Sequence, residues 1–198
     1  MIYVIICIYC GYLESHIMHE NDEILIAGSG LIALDIIISG NQQHVDYETG
    51  GTCSNVLRGL NHLGYCILPI ASIGNDTASQ IIQNEFDKKN VDLSLFSHKD
   101  DIRATKIIQI HSIRNKTGKH TFLFKCPECK SRLPKFHSPQ KGIVKRAKEI
   151  GHSPHFFFFD RSTRNILEIA RLYKKRKSII YFEPPKLGHN SAFNDAVG

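Results

Sequence analysis

The residues best suited to chemistry lie in the first third of the chain, where two glycines precede a segment with a helical pattern. Gly50 and Gly51 stand before that segment, and Asn55 falls in its first turn. Paired glycines let the backbone approach a ligand closely, and a helix start directs free N–H groups and a positive dipole end at it. Asparagine can donate and accept hydrogen bonds. This arrangement is suited to binding a hydroxyl-rich molecule. The alternative is an ordinary glycine turn capped by Thr52 or Ser54, which would show the same residues without a ligand.

A second glycine motif precedes this one. The run from Gly28 to Ala33 matches the G-x-G-x-x-G/A fingerprint of dinucleotide-binding folds, with Asp46 or Glu48 near the expected acid. That fingerprint needs a helix to open at its second glycine, so that the helix start can hold a pyrophosphate. The next residues, 34–40, are β-branched and end at a glycine. The pattern therefore favours a glycine bend within a strand over an NAD site.

A third candidate site is a pair of cysteines. Cys126 and Cys129 form half of a zinc-binding pattern, and the other C-x-x-C, at residues 7–10, lies over a hundred residues away. Histidines that could complete a site are His111, His120 and His137. The spacing favours a loop with reduced thiols and no metal site, and a small zinc-bearing nucleic-acid module is the alternative.

Basic residues give the chain a mildly positive charge. Lys and Arg number 25 against 19 Asp and Glu, a formal net charge of +6. The basic runs are residues 145–148 and 171–177, and only Tyr173 is an interleaved aromatic. Because nucleic-acid binding favours interleaved aromatics on one continuous basic face, we predict solvated helix faces and no nucleic-acid partner.

The elements that would position these residues alternate between strand and helix patterns. Predicted strands cover residues 24–27, 35–40, 66–73, 155–160 and 178–182, and predicted helices follow residues 51, 76, 141 and 162. Thr77 with Gln80 predicts a capping box. Residues 40–51 and 125–141 are predicted to be irregular, and 191–197 to start another helix. Alternation of this kind predicts a parallel sheet flanked by helices, interrupted by an antiparallel hairpin over 105–124.

The order of these features resembles the PfkB carbohydrate kinase family, the ribokinase-like sugar and nucleoside kinases. The family's first signature has a glycine pair, an asparagine four positions after the second glycine, and further glycines at set distances. The matching residues are Gly50, Gly51, Asn55, Gly64 and Gly74. The resemblance continues through the hairpin, Asp160-Arg161 and the run from Tyr181 to Pro184, and covers roughly residues 23–197.

This resemblance implies an α/β fold, a three-layer α/β/α sandwich with a small β-sheet lid whose hairpin spans about 103–126. It implies that a sugar or nucleoside is the small-molecule partner. The residues it assigns to the hydroxyls are Asp35, Gly50, Gly51 and Asn55. It also implies apolar lid contacts, which the pattern places at Ile108 and Ile110, and an acid facing the substrate at Asp160. Ala33 departs from family members with a polar residue there.

The resemblance also implies ATP and Mg²⁺ as cofactors of the complete enzyme. Phosphoryl transfer needs a base, an anion hole and carboxylate help for the metal. The family supplies them from a G-A-G-D run and an N-x-x-E motif. No G-A-G-D run occurs in the 198 residues, and N-x-x-E spacing occurs once, at Asn165 and Glu168 within the predicted helix after residue 162. We therefore expect an N-terminal half of a kinase, truncated before its C-terminal half, with an acceptor site but no catalytic residue, metal site or ATP site of its own. A catalytically inactive sugar-binding or interaction half-domain is the alternative.

The first 22 residues differ from the rest of the chain. Residues 1–12 are apolar, but no Lys or Arg precedes them and no clear cleavage site of small residues follows. We interpret 1–22 as an atypical leader and 23–198 as the partial kinase domain. An added strand and a signal peptide are the alternatives for the leader.

Composition limits the environment of the chain. With 42% hydrophobic and 22% charged residues a packed core is expected. No apolar run reaches the roughly 18 to 20 residues that cross a bilayer, so we predict no membrane partner. Six scattered cysteines indicate reduced thiols and a cytoplasmic location. A sheet cut before its last strands would leave an edge unpaired, so a homodimer through that edge or through the lid is expected.

Overall fold

A computed structural model describes residues 23–39, 44–114 and 117–184 of the chain. The predicted leader at 1–22 and the predicted helix at 191–197 lie outside these residues. In chain order the elements are β1 (Leu25–Ser29), β2 (Ala33–Ser39), β3 (His44–Gly50), α1 (Thr52–His62), β4 (Cys66–Pro69), β5 (Ala71–Ile73), α2 (Thr77–Asp87), β6 (Phe96–His98), β7 (Thr105–Arg114), β8 (Thr117–Leu123), α3 (Lys141–Ile150), β9 (Phe156–Phe159), α4 (Arg164–Lys175) and β10 (Ile179–Phe182). Across the described ranges, no helix combines the length and the apolarity needed to cross a membrane.

The main sheet is parallel, with the strand order β10-β9-β1-β4. Successive side chains of a strand point to opposite faces. The side chains on the face covered by α3 and α4 are Ala27, Leu68, Phe157 and Phe159. Those on the face covered by α1 and α2 are Ile26, Ile67 and Phe158. The four consecutive phenylalanines thus form a strand buried on both faces, as predicted, and the three-layer α/β/α fold is confirmed.

A second sheet, which we call the lid, has the strand order β3-β2-β7-β8. The predicted hairpin is its β7–β8 pair. β3 lies in a segment predicted to be irregular, and that prediction was wrong. Val45 and Tyr47 alternate with His44, Asp46 and Glu48 as in a strand, but the glycines and polar residues on either side led us to interpret the whole segment as a turn-rich connection. A strand, β2, also follows the bend at Gly30, which is the arrangement favoured over a dinucleotide-binding helix.

The segment predicted as one strand over 66–73 divides between two sheets. The N–H of Ile70 donates to Gly28 of the main sheet at 2.8 Å, and the next N–H, that of Ala71, donates to Leu95 at 3.2 Å. From there β5 pairs with β6 in a small parallel sheet. β6 has only three residues, too few for a sequence pattern to reveal.

The start of α2 is capped by Asp76, one residue before the predicted capping box. Asp76 Oδ1 accepts hydrogen bonds from Ser79 N and Oγ at 3.2 and 2.6 Å and from Ala104 N at 3.2 Å. Lys106 Nζ lies 3.2 Å from Oδ2. Burial opposes the ionisation of Asp76, but the donors from Ser79, Ala104 and Lys106 outweigh it and lower its pKa. Asp76 therefore joins the helix start to the beginning of β7.

The basic runs stabilise helix ends. Arg176 donates to the carbonyl oxygens of Ala147, Lys148 and His152 at the end of α3, at 3.2, 3.0 and 2.6 Å. Lys148 pairs with Glu168 of α4 at 2.7 Å. Cations suit the negative end of a helix dipole, so these residues have a structural role between α3 and α4.

Replacing Asp76 with alanine should destabilise the chain. The variant loses the cap of α2 and the contact with Ala104, which we expect to lower the free energy of unfolding by about 2 kcal/mol. Because the pKa of Asp76 is lower in the folded chain, its contribution is present above the unfolded pKa and is lost as the pH falls through the folded one. Urea unfolding at pH 7 measures the loss, and unfolding near pH 3 should show a smaller difference. The control is Asp101→Ala at an exposed acid, and an equal loss there would contradict the prediction.

Candidate functional site

The glycine pair lies directly beside Asp35. Asp35 is on β2, and Gly50 is the last residue of the neighbouring β3, where it pairs with Ala33. Asp35 and Gly50 therefore face the same side of the lid. A side chain at position 50 would collide with the Asp35 carboxylate. The glycine is thus required for the close approach of the Asp35 carboxylate.

The carboxylate of Asp35 is buried and only partly engaged. Its residue is 7% exposed, and Oδ2 accepts a hydrogen bond from Gln109 Nε2 at 2.6 Å. Oδ1 has no hydrogen-bond partner among the described residues. Burial raises the pKa of Asp35, Gln109 opposes the rise, Glu48 adds to it and Arg58 opposes it. Because a buried polar atom is normally paired, Oδ1 is a ready acceptor for a ligand hydroxyl.

Gln109 was missed by sequence reasoning. It lies on β7, where it pairs with Ile37 of β2, on the face that Asp35 also occupies. Sequence alternation alone places residues 107, 109 and 111 on one face of the hairpin. Only the register between β2 and β7 shows that this face is the one shared with Asp35.

The backbone leading to the glycine pair is held on both sides at Thr49. Its N–H donates to Glu85 Oε2 at 2.8 Å, and its carbonyl oxygen accepts a hydrogen bond from Arg58. Arg58 and Glu85 form an ion pair at 2.5 Å. α1 and α2 thus supply a charged pair that fixes Thr49, and with it the position of Gly50.

Gly51 is the N-cap of α1. Its φ of 91° lies in the region that favours glycine, and a side chain there would collide with the carbonyl of Leu31. No side chain caps the helix, so the alternative of a cap from Thr52 or Ser54 was wrong. Asn55 lies in the first turn with an exposed side chain. Gly51, Cys53 and Ser54 at the helix start are buried, and Ser54 N donates to Leu31 O at 3.3 Å, so Asn55 is the exposed residue of this turn.

Asp160 follows β9 and is 1% exposed. Its Oδ1 accepts a hydrogen bond from Leu31 N at 2.8 Å, and Arg161 Nη1 lies 3.3 Å from Oδ2. Burial raises its pKa, while bonds from Leu31 and Thr52 and the charge of Arg161 oppose the rise. The structure therefore brings Asp160 next to Gly51 through Leu31 and Thr52. Its carboxylate supports the connection between β1 and β2.

Ile108 and Ile110 lie on the opposite face of the lid from Asp35. In the register between β2 and β7, Ile108 pairs with Ile36 and Ile107 pairs with Asp35. The alternation correctly grouped Ile108 with Ile110, but on the face turned away from the carboxylate. The structure therefore does not bring them to Asp35, and the apolar residue on the Asp35 side is Ile107.

A cavity of about 360 Å³ is lined by neighbours of Asp35 and Gly51, although Asp35 and the glycine pair are not among its lining residues. Leu31 and Ile107 line its inner wall. Leu31 is the residue that contacts Gly51, and Ile107 is the strand neighbour of Asp35. The remaining walls come from the segment 124–136 and from Arg161. A volume of this size is in the range of small-molecule sites.

The cysteine pair lies outside this cavity's lining. Ser131 lowers the pKa of the exposed Cys129 by hydrogen bonding, and Cys126 adds to the effect. Within the ranges 23–39, 44–114 and 117–184, no three His, Cys, Asp or Glu side chains come together as a metal site. His111 and His120 stack on each other across the lid, with ring centroids 4.2 Å apart. The described residues thus bring neither histidine to the cysteines.

Comparison with known proteins gives the same fold. The sequence profile described as "pfkB family carbohydrate kinase" matches residues 24–177. Among solved structures, 2-dehydro-3-deoxygluconokinase from Thermotoga maritima is similar with a TM-score of 0.63 and 14% identity, covering 82% of this chain and 51% of that one. A search of curated proteins by sequence found no match.

Two further solved structures are similar over comparable lengths. A nucleoside kinase from Burkholderia thailandensis has a TM-score of 0.61 at 13% identity, covering 86% of this chain and 56% of that one. Ribokinase from Arabidopsis thaliana has a TM-score of 0.60 at 11% identity, covering 81% and 53%. These identities show a shared fold. The chain spans about half the length of the structures it matches.

Replacing Asp160 with alanine should weaken the support of Leu31. The variant leaves the Leu31 N–H without its acceptor in a buried setting, which we expect to lower the free energy of unfolding by about 2 kcal/mol. Asp160→Asn is the matched control, since its amide oxygen can still accept that bond and no charge is buried. Chemical denaturation of both variants measures the effect. Equal stability of the alanine variant and the wild type would contradict the role of this contact.

Proposed function

The chain belongs to the pfkB family of carbohydrate kinases, and on this premise we propose that it binds a sugar or nucleoside whose hydroxyl is phosphorylated with ATP. The acceptor site would lie between the lid and α1. The ligands of two similar structures support this class of ligand. The Arabidopsis ribokinase was solved with ribose and ATP, and the Burkholderia nucleoside kinase with inosine.

The observation that supports the proposal most directly is the unpaired oxygen of Asp35. Gln109 holds Oδ2, and Oδ1 is buried beside Gly50 without a partner among the described residues. An ionised carboxylate accepts hydrogen bonds and cannot donate them, so its natural partner is a donor such as a sugar hydroxyl. Hydrogen bonds to a charged acceptor are stronger than neutral ones. Asp35 would therefore fix the orientation of the acceptor.

The remaining proposed contacts surround Asp35. Gly50 and Gly51 would let the ligand approach the backbone, and Asn55 would donate to and accept from a second hydroxyl. On the lid side, Ile107 and Gln109 take the place of the predicted pair Ile108 and Ile110, because they share the face of Asp35. Asp160 would act on the ligand indirectly, by holding Leu31.

The described residues do not by themselves fit ATP with Mg²⁺. They bring together no three candidate metal ligands, and no G-A-G-D run occurs in the 198 residues. The one N-x-x-E match, Asn165 to Glu168, lies in α4, where Asn165 donates to Pro139 O and Glu168 pairs with Lys148. The described residues therefore do not supply the groups needed for phosphoryl transfer. Its proposed part in the reaction is to bind the acceptor, to orient its hydroxyl and to exclude water beneath the lid.

We also propose that copies of the chain associate through exposed strand surfaces. Val45 and Tyr47 on the outer lid strand β3 are 43% and 56% exposed, and Tyr181 on β10, the last described strand of the main sheet, is 62% exposed. Exposed apolar residues on an outer strand are a common route to association.

Binding of a neutral sugar or nucleoside to the chain tests the acceptor site. In a calorimetric panel of pentoses, hexoses and nucleosides, we expect at least one ligand to bind, and Asp35→Asn to weaken it about tenfold or more, as for a lost charged hydrogen bond. Stability should be unchanged or higher, because the variant removes a buried charge. The control is Asp87→Asn at an exposed acid of α2. Equal binding by wild type and Asp35→Asn would contradict the site.

A coupled assay for ATP consumption tests whether the chain binds the acceptor without phosphorylating it. With the same panel and Mg²⁺ present, we expect the 198-residue chain to show no sugar-dependent turnover, because the residues that the family uses for the base and the nucleotide are not in its sequence. Clear turnover that depends on the sugar and disappears in Asp35→Asn would contradict this prediction. It would still support the proposed acceptor site.

A further inference from the structure

The cavity lined by Leu31 and Ile107 is bordered by positive charge. Its basic lining residues are Lys106, Lys125, Arg132, Lys135 and Arg161, and its other lining residues carry no carboxylate. The apolar residues between them include Leu31, Ile107, Phe124 and Phe136. Several like charges around one cavity repel one another, so the set is most favourable when an anion lies among them.

Two of these cations are already paired within the protein. Lys106 lies 3.2 Å from Asp76, and Arg161 lies 3.3 Å from Asp160. Lys125, Arg132 and Lys135 are exposed, and no carboxylate of the described residues forms an ion pair with them. The cavity therefore has an excess of positive charge that the surrounding protein does not neutralise.

The unpaired cations are presented by a backbone held in a defined place. The segment 124–136 folds into a ribbon in which Cys126 N donates to Ser131 O at 2.9 Å and Leu133 N donates to Phe124 O at 3.1 Å. The ribbon is attached to the lid, because Lys106 N donates to Pro134 O at 3.2 Å. Such bonds position the cations beside the cavity.

The cavity and the proposed acceptor site share a wall. Ile107 lines the cavity and is the strand neighbour of Asp35, and Leu31 lines it and contacts Gly51. A ligand held by Asp35 through its hydroxyls would thus extend a substituent into the cavity. We propose that the acceptor is an anionic sugar derivative, whose carboxylate or phosphate lies among Lys125, Arg132 and Lys135.

This inference rests on the proposed function, because it identifies the class of acceptor for the same site. The phosphates of ATP are a second source of negative charge. The position of the cavity favours the acceptor, because its lining residues Ile107 and Leu31 are the neighbours of Asp35 and Gly51, which hold the acceptor in the proposed function. Probes that carry the anion with and without the sugar distinguish these sources.

Calorimetry on the 198-residue chain, with matched probes, tests the proposal. Glucuronate is compared with glucose, ribose 5-phosphate with ribose, and inorganic phosphate and ATP serve as anions without an acceptor sugar. We expect one of the anionic sugars to bind about tenfold more tightly than its neutral counterpart, with a preference that falls as salt is raised. The double variant Arg132→Ala/Lys135→Ala should remove most of this preference and leave the neutral sugar's affinity unchanged.

The matched control is Lys88→Ala/Lys89→Ala, which removes the same charge from exposed residues at the end of α2. It should keep the preference, so that an effect of net charge alone is recognised. Equal binding of neutral and anionic sugars, reduced by Asp35→Asn, would overturn the anionic acceptor and retain the proposed function. Binding of phosphate or ATP as tight as that of the anionic sugar, lost in the cavity variant, would overturn it in favour of the nucleotide. Binding of no sugar, neutral or anionic, would overturn both.

Discussion

Three carboxylates hold the base of the lid, and the geometry of the site depends on them. Each accepts a hydrogen bond from a backbone N–H just before β2, near the end of β3 or just before β7. The pairs are Leu31 with Asp160, Thr49 with Glu85, and Ala104 with Asp76. Such bonds to charged acceptors are stronger than neutral ones. Because two of the acids come from α2 and the third follows β9, the lid is attached both to a helix layer and to the main sheet.

This attachment explains how a small antiparallel sheet can present a buried carboxylate. Gly50 lies against Asp35, and the next residue, Gly51, lies against Leu31. Thr49, which precedes Gly50, is held by Glu85, so the bonds to Thr49 and Leu31 help to fix this close approach. Asp35 then keeps one oxygen for Gln109 and one without a partner among the described residues. A buried acid with a raised pKa is costly for the folded chain, and a cost of this kind is typical of a residue retained for binding.

The features that could be predicted from the sequence are those with a strong local signal. Four phenylalanines in a row indicated a strand buried on both faces, and the glycine pair before a helical pattern indicated the start of α1. β3 was missed although Val45 and Tyr47 alternate with polar residues, because the whole strand is short and lies between glycines in a polar segment. The role of Gln109 and the direction of Ile108 depend on the register between β2 and β7. That pairing joins strands about seventy residues apart, and nothing within either strand specifies it.

The position of β9 at the centre of the main sheet affects the order in which the molecule can form. Leu25 of β1 donates to His155 beside β9, 130 residues later, and Leu31 and Asp160 are 129 residues apart. Contacts of such sequence separation are slow to form, whereas the β7–β8 hairpin is local. During synthesis the strands of the lid leave the ribosome well before Asp160 does. The lid can therefore pair early, but its connection to β1 is completed only after β9 has been made.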